Sequence, residues 1–215
     1  MSYDPSRPAG RLLLTPEDKE APARTRRLRV LGLGERAEPA LDAFARRLAE
    51  LAGAPYAMVN FIGEERQFFA GLHTRPVATR HGGGGGDDVG VGGSGNGSAK
   101  SHGDADLRGS APPSIGLHRH MARDYGFCPH VVVRRKALVL EDVRDYPRFA
   151  GNPVVDEFGI RSYLGAPLLD RTGIALGTVC VTDVEPRPWG RSGLDTIKAM
   201  AAELVEQIEL REGGF

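Results

Sequence analysis

The chain has 215 residues, of which 40% are hydrophobic and 26% are charged, and these proportions are typical of a globular domain. Lys and Arg total 28, and Asp and Glu also total 28, so no general basic field attracts nucleic acid or an anionic membrane. No apolar run approaches the length of a membrane span and the first residues lack a secretory signal, so we expect a cytoplasmic protein without nucleic-acid or membrane partners.

An unstructured arm and a helix are the first predicted elements. Residues 1–26 are rich in Pro, Arg and charge without a sustained apolar period, which predicts a disordered N-terminal arm. A helix is predicted over Pro39–Ala52, because Pro39 suits a first turn and Gly53 suits a C-terminal cap. Its apolar residues share one face, which we expect to be buried: Leu41, Phe44, Ala45, Leu48 and Leu51.

The predicted sheet is built from short β-prone segments. "YAMVNFI" at 56–62 and "RQFFAGL" at 66–72 are joined by the turn "GEE" and predict a hairpin. "ALVLEDV" at 137–143 predicts a short strand. "RSYLGAPLLD" at 161–170 and "IALGTVCVTD" at 174–183 are joined by "RTG" and predict a second hairpin.

A Gly-rich segment separates the two hairpins. Residues 82–97 contain ten of the chain's 29 glycines. Such a segment has too few apolar side chains to offset the entropy lost when it is ordered. We therefore predict a flexible inserted loop over residues 74–115. The run "GGGGGDD" is not followed by the Lys-Ser/Thr of a phosphate-binding loop, and no strand leads into it, so no nucleotide site is predicted there.

A helix is predicted at the C-terminal end, from Ser192 to about Arg211. Ser192 and Asp195 have the spacing of a capping box. Apolar residues recur at spacings of three and four, as in a coiled-coil seam: Leu194, Ile197, Ala201, Leu204 and Ile208. Two interpretations stay open, because the seam either packs on the protein's own sheet or pairs with a second copy in a homodimer.

Three stretches resemble, in order, the GAF domain family, in the branch found in bacterial signalling proteins. They are "LDAFARRLAELAGAPYAMVNFIGEERQFFAGL" at 41–72, "GFCPHVVVRRKALVLEDVRDYPRFAGNP" at 126–153 and "GIRSYLGAPLLDRTGIALGTVCVTDVEPR" at 159–187. The resemblance implies an α+β fold with a central antiparallel sheet of about six strands, helices on one face and a ligand pocket on the other. It also implies one GAF-like domain over residues 27–212.

The same resemblance implies a non-catalytic sensory or regulatory role. A small molecule of unknown identity, or the redox state, would be the signal, and the terminal helices would pass it on. No kinase, cyclase or DNA-binding module follows in the sequence, so we expect a stand-alone domain whose output needs a separate signalling protein. The sequence assigns no metal and identifies no cofactor.

Cys128 and His130 in "GFCPHVV" have several interpretations. In one, Cys128 is the nucleophile of an enzyme similar to the free methionine sulfoxide reductases, which need a resolving thiol. Cys180 lies in an apolar β segment, where a buried structural cysteine is expected, so the two cysteines are predicted to act independently. In another, Cys128 binds a bilin as in phytochrome-type GAF domains, although Pro129 departs from that pattern.

Two further interpretations concern a metal and a pocket wall. Cys128 and His130, with His118 and His120, are residue types that bind zinc or iron, but their spacing matches no closed zinc motif. We favour the last interpretation, in which Cys128 and His130 line a pocket. The candidate ligand-binding residues are then Phe127, Cys128, His130, Asp142, Arg161 and Tyr163. Asp142 also suits a backbone cap, and Arg161 also suits an ion pair with Glu157.

Overall fold

A six-stranded antiparallel sheet forms the centre of the computed structural model, which describes residues 15–74 and 118–213. The strand order is β3-β2-β1-β6-β5-β4. The strands are β1 (Tyr56–Ile62), β2 (Arg66–Thr74), β3 (His120–Ala122), β4 (Leu138–Leu140), β5 (Ser162–Leu169) and β6 (Ala175–Asp183). Both predicted hairpins are confirmed, since β1 pairs with β2 and β5 pairs with β6. The predicted loop at 74–115 lies outside the described residues, apart from Thr74 at the end of β2.

Three longer helices and a large apolar cluster lie on one face of the sheet, and a second apolar cluster lies on the other face. The longer helices are α1 (Ala21–Val30), α2 (Pro39–Ala52) and α6 (Gly190–Gly213). The other face is covered by short helices: α3 (Cys128–Arg134), a 3₁₀ turn (Val143–Asp145), α4 (Pro147–Ala150) and α5 (Pro153–Phe158). The predicted α+β architecture is therefore confirmed. No helix in the described ranges is long and apolar enough to cross a membrane.

Helix α2 confirms the predicted helix over Pro39–Ala52. Gly53 follows it with φ +62°, a left-handed conformation that glycine adopts without strain and that ends the helix. Its apolar face packs on β1 and β2 as predicted, with one exception. Leu51, assigned to that face, is largely exposed.

Helix α1 corrects the predicted extent of the N-terminal arm. The first 14 residues of that arm lie outside the described residues, but residues 21–26 are helical rather than disordered. Arg24 is fully buried, donates from Nε to the Ile62 carbonyl oxygen at 2.7 Å, and forms an ion pair with Asp18. An arginine held inside the protein by a carboxylate adds nothing to apolar periodicity, so the pattern did not show this helix.

Helix α6 begins at Gly190, two residues before the predicted start. The Gly190 amide donates to the Glu141 carboxylate at 3.0 Å, so a residue after β4 satisfies this helix end and Ser192 is not the cap. The predicted seam is buried against the chain's own core, with Leu194 only partly so. A second copy that pairs through α6 would therefore contact a different side of the helix.

Candidate functional site

The candidate site is a pocket of about 50 Å³ on the sheet face opposite α1, α2 and α6. Its floor consists of strand residues: Met58, Gln67, Phe69, Tyr163, Cys180 and Thr182. Its cover consists of residues 121–128 and 152–160, whose lining members are Met121, Tyr125, Gly126, Phe127, Cys128, Val154, Phe158 and Ile160. Most of these side chains are apolar, which favours a small ligand with a substantial apolar part.

Asn152 holds the two parts of the cover together. Its Oδ1 accepts a hydrogen bond from the Gly126 amide at 2.9 Å, and its Nδ2 donates to the Gly126 carbonyl oxygen at 2.9 Å. The same Oδ1 accepts from the Val154 amide at 3.2 Å and caps α5. Gly126 has φ +76°, so the chain can turn there without strain on its way to α3.

Gln67 fastens the cover to the floor. Its Nε2 donates to the Ala122 carbonyl oxygen at 2.9 Å and to the Tyr125 carbonyl oxygen at 2.6 Å. Its Oε1 accepts from Asn60 Nδ2 at 2.7 Å on the neighbouring strand. Regular pairing between the cover and the sheet is limited to three-residue β3, so the Gln67 side chain adds to this attachment.

Cys128 and His130 face different sides of α3. Pro129 occupies the first turn of the helix, a position where its missing amide hydrogen costs nothing. Residues two apart on a helix do not face each other. Cys128 lines the pocket, whereas His130 packs edge-on against Phe149 with ring centroids 5.0 Å apart. The structure therefore does not bring Cys128 and His130 together as a dyad.

The two cysteines are neighbours, which corrects the expectation that they act independently. Cys128 Sγ lies 3.6 Å from Cys180 Sγ and 3.4 Å from the Tyr163 hydroxyl oxygen. Both thiols are free and buried. The chain separates them by 52 positions, and the contact exists because β6 turns Cys180 toward the face that α3 covers. Side chains alternate between the two faces of a strand, and this was the signal available within "GTVCV". Which of the two faces Cys180 occupies could be known only from the strand pairing.

The environment makes Cys128 the more acidic thiol of the pair. A hydrogen bond from Cys180 lowers the pKa of Cys128, and the Tyr163 hydroxyl adds to this effect. The pKa of Cys180 is raised by its closeness to Cys128 and by burial. Burial also raises the pKa of Tyr163, so its hydroxyl stays protonated and can donate to a thiolate.

His130 is a buried histidine without a partner for Nδ1 in the described ranges. Burial, together with the nearby charges of Arg148 and Arg134, lowers the pKa of His130 from 6.5 to about 4. It is not among the residues that line the pocket. Its position suits a structural role between α3 and α4.

We expect His130 to make the protein less stable in mild acid. Between about pH 6.5 and pH 4 the unfolded chain binds more protons than the folded chain, so the free energy of unfolding falls as the pH is lowered through this range. The free energy of unfolding is expected to fall by up to about 3 kcal/mol and to level off below the pKa of His130 in the folded protein. Urea unfolding from pH 7 to pH 4 measures it. His130→Phe should flatten the slope, and the exposed His118→Phe should leave it unchanged.

The other predicted site residues divide between the pocket and its surroundings. Phe127 and Tyr163 line the pocket, and their rings lie 5.2 Å apart between centroids. Asp142 and Arg161 are not among the lining residues. They pair with each other, with Arg161 Nε donating to Asp142 Oδ1 at 3.0 Å, so Glu157 is not the partner of Arg161. Asp142 also caps the 3₁₀ turn, as its sequence position suggested.

The histidines considered as metal ligands, an interpretation that we do not favour, lie apart from Cys128. His120 lies on edge strand β3 against Phe68, with ring centroids 5.0 Å apart, and His118 is exposed. Within residues 15–74 and 118–213, no group of three or more His, Cys, Asp and Glu side chains is arranged to hold a metal ion.

Comparison with known proteins gives the chain a context. The GAF domain family model matches residues 36–208. A cyclic di-GMP phosphodiesterase from Pseudomonas aeruginosa is 42% identical over 76 residues, which make up 34% of this chain and 13% of that protein.

Two solved structures share the fold at low sequence identity. A GAF domain from a phosphoenolpyruvate-protein phosphotransferase of Coxiella burnetii matches with TM-score 0.52 and 15% identity, over 90% of this chain and 95% of that one. Free methionine-R-sulfoxide reductase from Neisseria meningitidis, solved with its substrate, matches with TM-score 0.51 and 12% identity, over 100% of this chain and 99% of that one. At these identities the likeness concerns the fold.

Proposed function

This chain belongs to the GAF domain family, and we propose that it binds a small molecule in the pocket and passes the change to its terminal helices. Family membership supports the sensory or regulatory class of the function. The observation that carries the proposal is an apolar pocket whose cover is fastened by the side-chain hydrogen bonds of Gln67 and Asn152. Of the ligand-binding residues predicted from the sequence, the proposal retains Phe127, Cys128 and Tyr163.

The size of the pocket implies that binding moves the cover. A cavity of about 50 Å³ is much smaller than the roughly 150 Å³ that holds benzene in a protein interior. A metabolite-sized ligand therefore requires the cover to shift away from the floor. Since such a ligand binds the open arrangement better than the closed one, its binding changes their populations.

Asp18 connects the cover to α1. Its carboxylate forms an ion pair with Arg24 on α1 and another with Arg123 in the cover, the latter at 2.6 Å. A cover that moves therefore alters a buried ion pair at the N-terminal helix. This connection supports the proposed transmission of the signal.

Helices α1 and α6 are also linked to each other. Arg27 on α1 donates to Asp170 at 2.7 Å and to Glu212 near the end of α6 at 2.7 Å. Neighbouring carboxylates raise the pKa of Arg27. We propose that the two helices respond together and that their output reaches a separate signalling protein or a second copy of the chain. The partial similarity to a cyclic di-GMP phosphodiesterase supports a place in signalling.

A thiol enzyme similar to the methionine sulfoxide reductases is the second candidate. The observation that favours it is the distance of 3.6 Å between the two sulfurs, since Cys180 is placed to resolve an intermediate on Cys128. Free methionine sulfoxide is larger than the cavity, so it would need the same shift of the cover as any other metabolite. Ligand binding remains the first candidate, because the GAF family model that matches residues 36–208 supports a regulatory role.

A native mass spectrum of freshly purified protein, combined with an absorption scan, tests the first candidate. We expect a co-purified small molecule, or a stabilising shift with members of a metabolite panel, and no visible chromophore band. A spectrum of bare protein with no thermal shift across the panel would contradict ligand binding. Reduction of free methionine sulfoxide that Cys128→Ser abolishes would instead establish the second candidate.

A further inference from the structure

The thiol pair in the pocket has a chemistry that ligand binding alone does not use. We propose that Cys128 and Cys180 form an oxidation site for small hydroperoxides, and that the resulting disulfide closes the pocket. The regulatory consequence rests on the proposed function, whereas the oxidation itself does not. The observations that carry the inference are the distance between the sulfurs, the cavity that both cysteines line, and their positions on the cover and on the floor.

The geometry is close to that of a disulfide. The sulfurs are 3.6 Å apart, and a disulfide bond requires an approach of roughly 1.5 Å more. Cys128 lies at the start of a seven-residue helix in the cover, where a small shift is feasible. Cys180 lies on β6 between β1 and β5, in the centre of the sheet. The approach is therefore expected from the cover toward a fixed floor.

The cavity selects the oxidant by size. A cavity volume of about 10–15 Å³ is needed to hold one water molecule, so about 50 Å³ accommodates hydrogen peroxide, which has two heavy atoms. Both cysteines line this cavity, so an oxidant inside it lies next to them without unfolding of the domain. Larger oxidants, including organic disulfides, do not fit while the cover is closed.

The two cysteines have different roles in the reaction. Cys128 is the attacking group, because hydrogen bonds from Cys180 and Tyr163 stabilise its thiolate, which is the reactive form of a cysteine. Cys180 is fully buried and keeps its proton, so it acts as the resolving thiol. Tyr163 holds the thiolate in the pocket by donating its hydroxyl hydrogen.

The reaction balances with the hydroperoxide as the oxidant. The Cys128 thiolate attacks one peroxide oxygen, so a sulfur-oxygen bond forms while the oxygen-oxygen bond breaks. The departing alkoxide takes up the proton that ionisation of Cys128 released and leaves as an alcohol, or as water from hydrogen peroxide. Cys180 then attacks the Cys128 sulfenic acid, and its proton leaves with the hydroxyl group as water. Two thiols have lost two electrons to one peroxide.

The disulfide would fasten the cover to the floor. In the reduced protein, Asn152 and Gln67 hold the cover by hydrogen bonds that can open. A covalent link between α3 and β6 prevents the movement that a ligand needs. Oxidation is therefore expected to lower the affinity for a pocket ligand, and reduction is expected to restore it.

The test begins with the reduced full-length chain exposed to graded hydrogen peroxide. We expect both free thiols to disappear together, the intact mass to fall by two hydrogens, and peptide mapping to find Cys128 joined to Cys180. A thiol reductant added to the unfolded protein should restore the starting mass. Two thiols that survive peroxide doses sufficient to oxidise a free cysteine peptide, or disulfides that join separate chains, would overturn the proposal.

Variants separate the two roles. Cys180→Val keeps an apolar side chain on β6 and should stop the reaction at a sulfenic acid on Cys128, which dimedone traps when the oxidised protein is unfolded in its presence. Cys128→Ala should slow oxidation of Cys180 at least tenfold, and an unchanged rate would refute the assignment of the nucleophile. Melting curves confirm that each variant is folded. If oxidation occurs as described while no small molecule binds the reduced chain, the proposed function fails and the oxidation site stands.

Discussion

Replacing Arg24 with methionine is expected to lower the free energy of unfolding by about 3–5 kcal/mol, the usual cost of breaking a buried ion pair from one side. Arg24 is fully buried, and its guanidinium bonds both the Asp18 carboxylate and the Ile62 carbonyl oxygen. Methionine fills similar space but leaves these two acceptors short of a donor. Equilibrium urea unfolding, followed by circular dichroism, measures the loss.

The matched control is Arg26→Met on the same helix. Arg26 is exposed, so this variant changes the charge and the side chain without breaking a buried pair. Its effect is expected within about 0.5 kcal/mol of zero. If both variants lose the same stability, the ion pair with Asp18 is not the cause, and α1 is held by apolar contacts such as that of Leu28.

A second substitution tests the proposed link between α1 and the cover. Arg123→Met removes the other partner of Asp18, and the two arginines are coupled if they share one carboxylate. The loss of unfolding free energy in the double variant, which carries Arg24→Met and Arg123→Met, should then differ from the sum of the two single losses by about 0.5–3 kcal/mol. Additive losses would show that the carboxylate does not connect the helix to the cover.

The framework of this fold was readable because it depends on short-range patterns. Helix α2 has a Pro at its start, a Gly at its end and an apolar face between them, and each feature acts within a few residues. The two hairpins likewise have their turns between adjacent apolar segments. Such signals are local physical preferences, so they survive without knowledge of the tertiary structure.

The site depended on contacts that local patterns do not contain. The neighbourhood of Cys128 and Cys180 follows from which face of β6 the short helix α3 covers, and that choice is tertiary. Met121 belongs to the pocket because β3 extends the sheet beyond β2, and three residues are too short to give a strand signal. Cys128 and His130 show the reverse case, in which residues close in the sequence lie apart in the structure. Their spacing of two places them on different sides of helix α3.

The role of Asn152 was also not visible in the sequence, and its substitution is expected to have the second large effect on stability. An Asn before a Pro reads as an ordinary turn residue, yet this side chain is buried and holds both parts of the cover. Asn152→Ala is expected to lower the free energy of unfolding by about 2–4 kcal/mol, because the buried amide and carbonyl groups of Gly126 lose their partner. Thermal and urea unfolding measure this loss.

The same variant should also loosen the cover before the whole domain unfolds. Amide hydrogen exchange at residues 121–128 is expected to accelerate in Asn152→Ala, while exchange in β1 and β6 keeps its rank as the slowest, since local opening does not require the sheet to separate. The matched control is Asp156→Asn on α5. The Asp156 side chain is exposed and takes no part in the hydrogen bonds between Asn152 and Gly126. Acceleration spread evenly over cover and sheet would mean that Asn152 stabilises the domain as a whole, and the proposed opening of the pocket by movement of the cover alone would then be wrong.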